Sequence, residues 1–400
     1  MTLLSAVAKY RHLVYVALLL PMFTFAQVHY AENVTVAADR PGAYLPLFYG
    51  KSVGVVANQT SMTKEGHLVD YLLANKVAVK KVFAPEHGFR GTASAGELIK
   101  DGKDVSTGLP IVSLYGNNKK PKAEQLADID IVVFDIQDVG ARFYTYISTL
   151  TYVMEACAEN GKTLVVLDRP NPHGYYVDGP VLQSGFESFV GMHHIPVIHG
   201  MSIGEYAKMV NGEKWLKNGI QCKLEVVQCE NWDHTLTYSL PVRPSPNLPN
   251  DEAITLYPSL CFFEGTTVSV GRGTDKPFQQ IGAPYFTTTD YSFTPKGNEG
   301  AKHPKYEGEV CHGFPLSEFA HYYISGLGEM YMYWLVEAYN MSPDKDKFFT
   351  SFFDKLAGND QLRKDIVAGK SVEDIRKSWA SDLDAFKKVR KKYLLYQDFE

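Results

Sequence analysis

At 400 residues the chain is longer than one hydrophobic core usually supports, so two domains are expected. Hydrophobic residues at 45% and charged residues at 21% exclude a mostly disordered chain. The formal net charge of −5 argues against a duplex-binding surface, which needs surplus Lys and Arg to neutralise phosphates, so no nucleic-acid partner is expected.

Lys9 and Arg11 precede an uncharged run over residues 13–26 that contains Pro21. Its length falls short of the roughly 20 apolar residues a membrane helix needs. Thr24 and Ala26 place small side chains at −3 and −1 of a cleavage point before Gln27. Residues 1–26 therefore read as a signal peptide, and the chain is expected to be exported, with no stable membrane anchor after cleavage.

From residue 52 to 167 short β-branched runs alternate with helical patterns, which predicts βαβ units and a parallel sheet. A strand over 53–57 runs into Asn58-Gln59-Thr60, and a helix follows over 66–75. The next strand, 79–84, ends in Pro85-Glu86-His87-Gly88-Phe89-Arg90-Gly91. A strand over 111–114 ends at Tyr115-Gly116, and a short helix spans 122–128. The strand over 131–134 runs into Asp135-Ile136-Gln137-Asp138. A helix over 148–160 stops at Asn160-Gly161, and the strand over 163–167 ends in Asp168-Arg169-Pro170-Asn171-Pro172. Right-handed crossovers put all these polar strand ends on one edge of one sheet, where open α/β folds place their ligands. That edge is the candidate active site.

Past Pro172 the alternation stops. Ser202-Ile203-Gly204-Glu205 is a capping box opening a helix to about residue 210. All four Trp (215, 232, 334 and 379) lie further on, with strand-like runs at 223–228 and 266–270. The boundary is set near 205, giving domains of 27–205 and 206–400, the second mixed α+β with a cleft between the two. A last helix starts at Ser371 and carries Ile375, Trp379, Leu383, Phe386 and Val389 on one stripe, with a basic cluster at 387–392 read as a solvated face. The five cysteines are sparse and odd in number, so they read as buried small hydrophobes, although Cys222 and Cys229 could pair across a hairpin.

Several residues can carry chemistry. Glu86, on a turn at a strand end, is either a general acid with a pKa raised by desolvation or a surface partner of Arg90. Asp135, Gln137 and Asp138 converge by period-2 alternation, as paired acid and base or as holders of a divalent cation. Arg142, followed by Tyr144, either grips a substrate carboxylate bidentately or neutralises Asp138. The prolines flanking Arg169 and Asn171 make a rigid loop. His199 would bring a titratable ring to the interdomain cleft, or be a satisfied structural histidine. Segments carrying Asn247, Tyr257, Glu264 and Arg272 read as cleft-facing loops. The Gly271-Arg272-Gly273-Thr274 stretch lacks the spacing and context of a phosphate loop, and no Gly-x-Ser-x-Gly elbow occurs.

Taken together, the segments 85–91, 134–146, 168–172, 199–201, 246–249 and 263–265 resemble the exo-β-N-acetylmuramidase family of glycoside hydrolases, formerly a bacterial domain of unknown function. The resemblance covers nearly all of the chain past the signal segment. It implies a Rossmann-like amino-terminal domain, a second α/β domain, and a cleft that releases non-reducing-end N-acetylmuramic acid from peptidoglycan fragments by acid/base catalysis without a cofactor. It implies Glu86 as catalytic acid or base, with the second group among Asp135, Asp138 and Asp168. His87, Arg90, Gln137, Arg142, Tyr144, Arg169, Asn171, His199, Asn247, Glu264 and Arg272 are the substrate-binding candidates. Arg90, Arg142, Arg169 and Arg272 are candidate cations for the lactyl carboxylate. Muropeptides or disaccharides in the periplasm or outside a bacterial cell are the expected partners. Two rival readings are a metal-dependent esterase or phosphatase using Asp135 and Asp138, and a non-catalytic periplasmic muropeptide-binding protein.

Overall fold

The computed structural model describes residues 29–86, 88–90, 101–287, 289–320 and 324–400. The signal segment and His87 lie outside these. Seven strands form the main sheet: β1 (Ser52–Ala57), β2 (Ala78–Ala84), β3 (Gly102–Lys103), β4 (Pro110–Ser113), β5 (Ile131–Asp135), β6 (Thr163–Leu167) and β7 (Lys223–Val227), in the order β7-β6-β5-β1-β2-β4-β3. All pairings are parallel except β3 with β4. The parallel sheet predicted from the alternating pattern is thus present.

Burial on both faces explains why the central runs β1, β5 and β6 are almost wholly apolar. Alternate residues feed two cores. Ile131, Val133, Val165 and Leu167 join a cluster with helix α1 (Leu68–Ala74). Val132, Phe134, Leu164 and Val166 point the other way, into a larger cluster with α2 (Tyr146–Glu159) and α3 (Ile203–Gly212). That cluster continues through α4 (Asp251–Leu260) to Phe353, Ile375, Trp379 and Phe386, so the two lobes share one core.

The boundary expected near 205 is corrected by β7. Residues 223–227 complete the first sheet, beside β6, so the sheet-bearing unit runs at least to Val227. A lone β-branched run carries no mark of which sheet it joins. Residues 266–270 form isolated bridges rather than a strand. The second lobe's sheet is instead antiparallel, from β8 (Gln280–Ala283), β9 (Tyr291–Phe293) and β10 (Cys311–Pro315), ordered β8-β10-β9. Gly282 pairs with Gly313 there, and glycine carries no strand propensity that would reveal it. The last helix is two, Val372–Lys377 and Ala380–Arg390, and its apolar stripe is packed as expected.

In the basic cluster Lys388, Lys391 and Lys392 are exposed, as a solvated face requires, while Lys387 pairs with Glu400, Arg390 with Asp398 and Lys392 with Glu213. All five cysteines are free and buried, with Cys222 and Cys229 at opposite ends of β7. No helix among the described residues is long and apolar enough to cross a membrane.

Candidate active site

The strand ends converge on one edge as predicted, but they divide into a pocket wall and a buried scaffold. The pocket has a volume of about 150 Å³ and is walled by Phe143, Tyr144, Tyr146, Tyr257 and Phe278, with Glu86, Thr145, Ser245, Asn247, Glu264 and Arg272 supplying polar groups. It lies where the β2 end meets loops of the second lobe. Glu86 is half-buried, on a turn closed by the Gly88 N–H donating to the Pro85 carbonyl at 3.1 Å. Thr145 Oγ1 donates to Glu86 Oε2 at 3.1 Å. Tyr115, just past β4, lies close to the same carboxyl, and burial together with that negative charge pushes its phenol up to about 12. Tyr115 and Thr145 were missed in the sequence. Tyr115's place at a strand end was the available signal.

The second pair in the pocket is Glu264 with Arg272, bidentate, with Nε and Nη2 each 2.7 Å from a carboxylate oxygen. Gly271 and Gly273, both at positive φ (75° and 80°), flank the arginine and turn the chain where L side chains would be strained. Burial pushes the Glu264 carboxyl up, but Arg272, with Lys305 behind it, outweighs this and holds it low. Lys305 donates to the Thr266 and Val268 carbonyls, and burial lowers its ammonium to about 8. The Cys261 thiol on the pocket wall is pushed up by burial, which argues against a thiolate nucleophile.

Asp135 and Asp168 do not line this pocket, contrary to the expected convergence with Glu86. Asp135 is fully buried and accepts from Arg169 Nε and Nη2 at 2.6 and 2.9 Å. Asp168 accepts from Ser202 Oγ, Tyr396 Oη and the Gly204 N–H at 2.6, 2.7 and 2.8 Å, and burial raises it to about 6. It ties the β6 end to the first turn of α3 and to the carboxyl-terminal tail. Ser202 also accepts from the Glu205 N–H in the predicted capping box. Ser202→Ala removes both bonds and is expected to cost about 1–2 kcal/mol in denaturant unfolding. A loss within error would mean water replaces the hydroxyl.

Asp138 does not line the pocket either, but its surroundings differ. Its Oδ2 accepts from the Gly140 N–H at 2.7 Å, while Oδ1 is buried without a protein partner. Burial raises it from 3.8 to about 7, and its charge acts on Tyr144 and Tyr146 of the pocket wall. Gly140, at φ 75°, is needed beneath it, because a Cβ there would lie 2.0 Å from Asn171 Oδ1. Between the unfolded value and about 7 the native state binds the extra proton, so this group lowers stability as pH rises through that window. Asp138→Asn is therefore expected to raise the unfolding midpoint at pH 8 more than at pH 4.5. An equal shift at both would contradict a protonated Asp138.

The other candidates are structural in their contacts. Arg142 is fully buried and donates to the carbonyls of Pro180, Ile195 and Leu356, so it is not a free fork for substrate. Arg90 pairs with Asp104 and Asp70, not with Glu86. Arg169 is taken by Asp135. Gln137 donates to the Asp138 and Pro170 carbonyls, and Asn171 joins the Met201 carbonyl to the His173 N–H. His199 is fully enclosed and lowered to about 3 by burial and by Arg390, away from the pocket wall. Asn247 does reach the pocket, held by donation to the Gly300 carbonyl at 2.6 Å. The rival reading of Asp135 and Asp138 as a metal pair is not supported, since a guanidinium occupies both Asp135 oxygens. No cluster of three or more potential ligands occurs among the described residues.

Residues 53–252 match the family model described as exo-beta-N-acetylmuramidase NamZ, N-terminal, and residues 255–396 match its C-terminal counterpart. The chain belongs to the exo-β-N-acetylmuramidase family. The two NamZ models meet within the first turn of α4, beyond β7. A peptidoglycan beta-N-acetylmuramidase NamZ of Bacillus subtilis is 40% identical over 377 residues, covering 87% of each chain. A crystal structure of a DUF1343 family protein from Bacteroides fragilis superposes with a TM-score of 0.86 at 45% identity, covering 92% of this chain and all of that one. A second such protein from the same organism gives 0.75 at 30% identity, covering 91% and 99%.

Proposed function

We propose that the protein is an exo-acting glycoside hydrolase that releases non-reducing-end N-acetylmuramic acid from peptidoglycan fragments. The observation that carries this reading is Glu86, a strand-end carboxyl in a tyrosine-walled pocket, in a chain of the exo-β-N-acetylmuramidase family. Glu86 protonates the leaving oxygen, held in place by Thr145 with the Tyr115 phenol nearby. Asp138 sits behind the pocket wall, where its charge acts on Tyr144 and Tyr146, and it is the candidate for the second catalytic carboxyl. Aromatic walls suit the apolar faces of a sugar ring. Residues 1–26 direct export, which places the enzyme where peptidoglycan lies.

Incubating the purified protein with a chromogenic N-acetylmuramic acid β-glycoside tests the reading. Chromophore release supports it. Silence on this substrate, with cleavage of the N-acetylglucosamine glycoside, would move the specificity elsewhere, and tight binding of intact muropeptide would favour a binding protein.

A further inference from the structure

Of the four arginines that could meet a lactyl carboxylate, three are committed elsewhere. Arg142 is sealed among carbonyls, Arg169 is paired with Asp135, and Arg90 is paired with two aspartates. Arg272 is the single basic residue lining the Glu86 pocket among the described residues. Glu264 takes its Nε and Nη2, which leaves the Nη1 edge outside that pair. The Phe278 ring lies 5.0 Å from the guanidinium carbon and covers one face of it. Glu264, Arg272 and Lys305 together carry one net positive charge, and Arg272 and Glu264 are partly buried, so an anion meeting them in the pocket is screened less than at an open surface.

We propose that Arg272 is the specificity-determining residue of the pocket: its Nη1 edge binds the lactyl carboxylate of the terminal sugar, with Glu264 and Phe278 fixing the guanidinium plane. This rests on the glycosidase reading above and adds what distinguishes an N-acetylmuramic acid from an N-acetylglucosamine residue. That difference is one lactyl ether bearing one negative charge. A guanidinium edge held in place by Glu264 rewards the charge and lacks that second anionic partner when the charge is absent.

The test compares two chromogenic β-glycosides, one of N-acetylmuramic acid and one in which its lactyl carboxylate is a neutral carboxamide. Wild type is expected to prefer the carboxylate by about a hundredfold in kcat/KM. Arg272→Gln is expected to lose about that factor on the carboxylate and less than tenfold on the carboxamide, collapsing the preference. Arg272→Lys keeps the charge without the guanidinium plane that Glu264 fixes and should fall between them. If wild type hydrolyses both substrates equally well, the proposal is wrong while the glycosidase reading stands. Equal losses on both substrates in a folded Arg272→Gln protein would reduce Arg272 to a structural role and also overturn it. Should wild type cleave neither, calorimetric binding of free N-acetylmuramic acid against its lactamide decides: equal affinity sinks the proposal, and a preference for the acid that Arg272→Lys weakens upholds it. The same binding pair serves if Arg272→Gln does not fold.

Discussion

Glu86→Gln is expected to lower kcat on the N-acetylmuramic acid β-glycoside by about 10²–10⁴-fold, leaving the thermal midpoint nearly unchanged. The amide keeps the size of the side chain and can still accept from Thr145, which donates to Glu86 Oε2 at 3.1 Å. It has no proton of suitable acidity for a leaving alkoxide. An activated leaving group such as nitrophenolate needs less protonation than a sugar hydroxyl, so the loss should be larger on a natural disaccharide. KM should change little, because the lost interaction belongs to the transition state. A folded Glu86→Gln protein with wild-type kcat on both substrates would remove Glu86 from the chemistry.

Asp135→Asn and Arg169→Met are each expected to cost about 3–5 kcal/mol of stability, because each leaves one buried charge unpaired. Asp135 is 0% exposed and Arg169 is 4% exposed, so water cannot easily replace the missing partner. Arg169 also donates to the Met62 carbonyl at 3.0 Å, and its loss frees the β1 loop as well. The double substitution should recover much of the loss, which double-mutant denaturation would detect as a coupling energy. Specific activity per folded molecule should survive in all three. A stable but inactive Asp135→Asn protein would instead return Asp135 to the catalytic step.

These two predictions separate residues that looked alike in the sequence. Asp135, Asp138 and Asp168 all follow apolar strands, and period and composition place all three at one sheet edge, where the structure also has them. None of the three lines the pocket, and two are held away from it by partners distant in the chain: Arg169 for Asp135, and Ser202 and Tyr396 for Asp168. Local patterning cannot show such partners. The strands over 131–135 and 163–167 were legible because burial on both faces forces uninterrupted β-branched runs. Strand 223–227 was visible as a strand, but its sheet was set by non-local pairing with β6. Glu86 was legible at its strand end, and Glu264 and Arg272 as members of loops. Their meeting in one pocket required the second lobe to fold back over the sheet edge.

The most direct test of the account is the structure of the Glu86→Gln protein with a disaccharide bearing N-acetylmuramic acid at its non-reducing end. The glycosidic oxygen is expected within hydrogen-bonding distance of residue 86, with the terminal ring against the Tyr144 and Tyr146 wall and the lactyl carboxylate at Arg272. A sugar seated outside this pocket, or with its glycosidic oxygen beyond reach of residue 86, would contradict it.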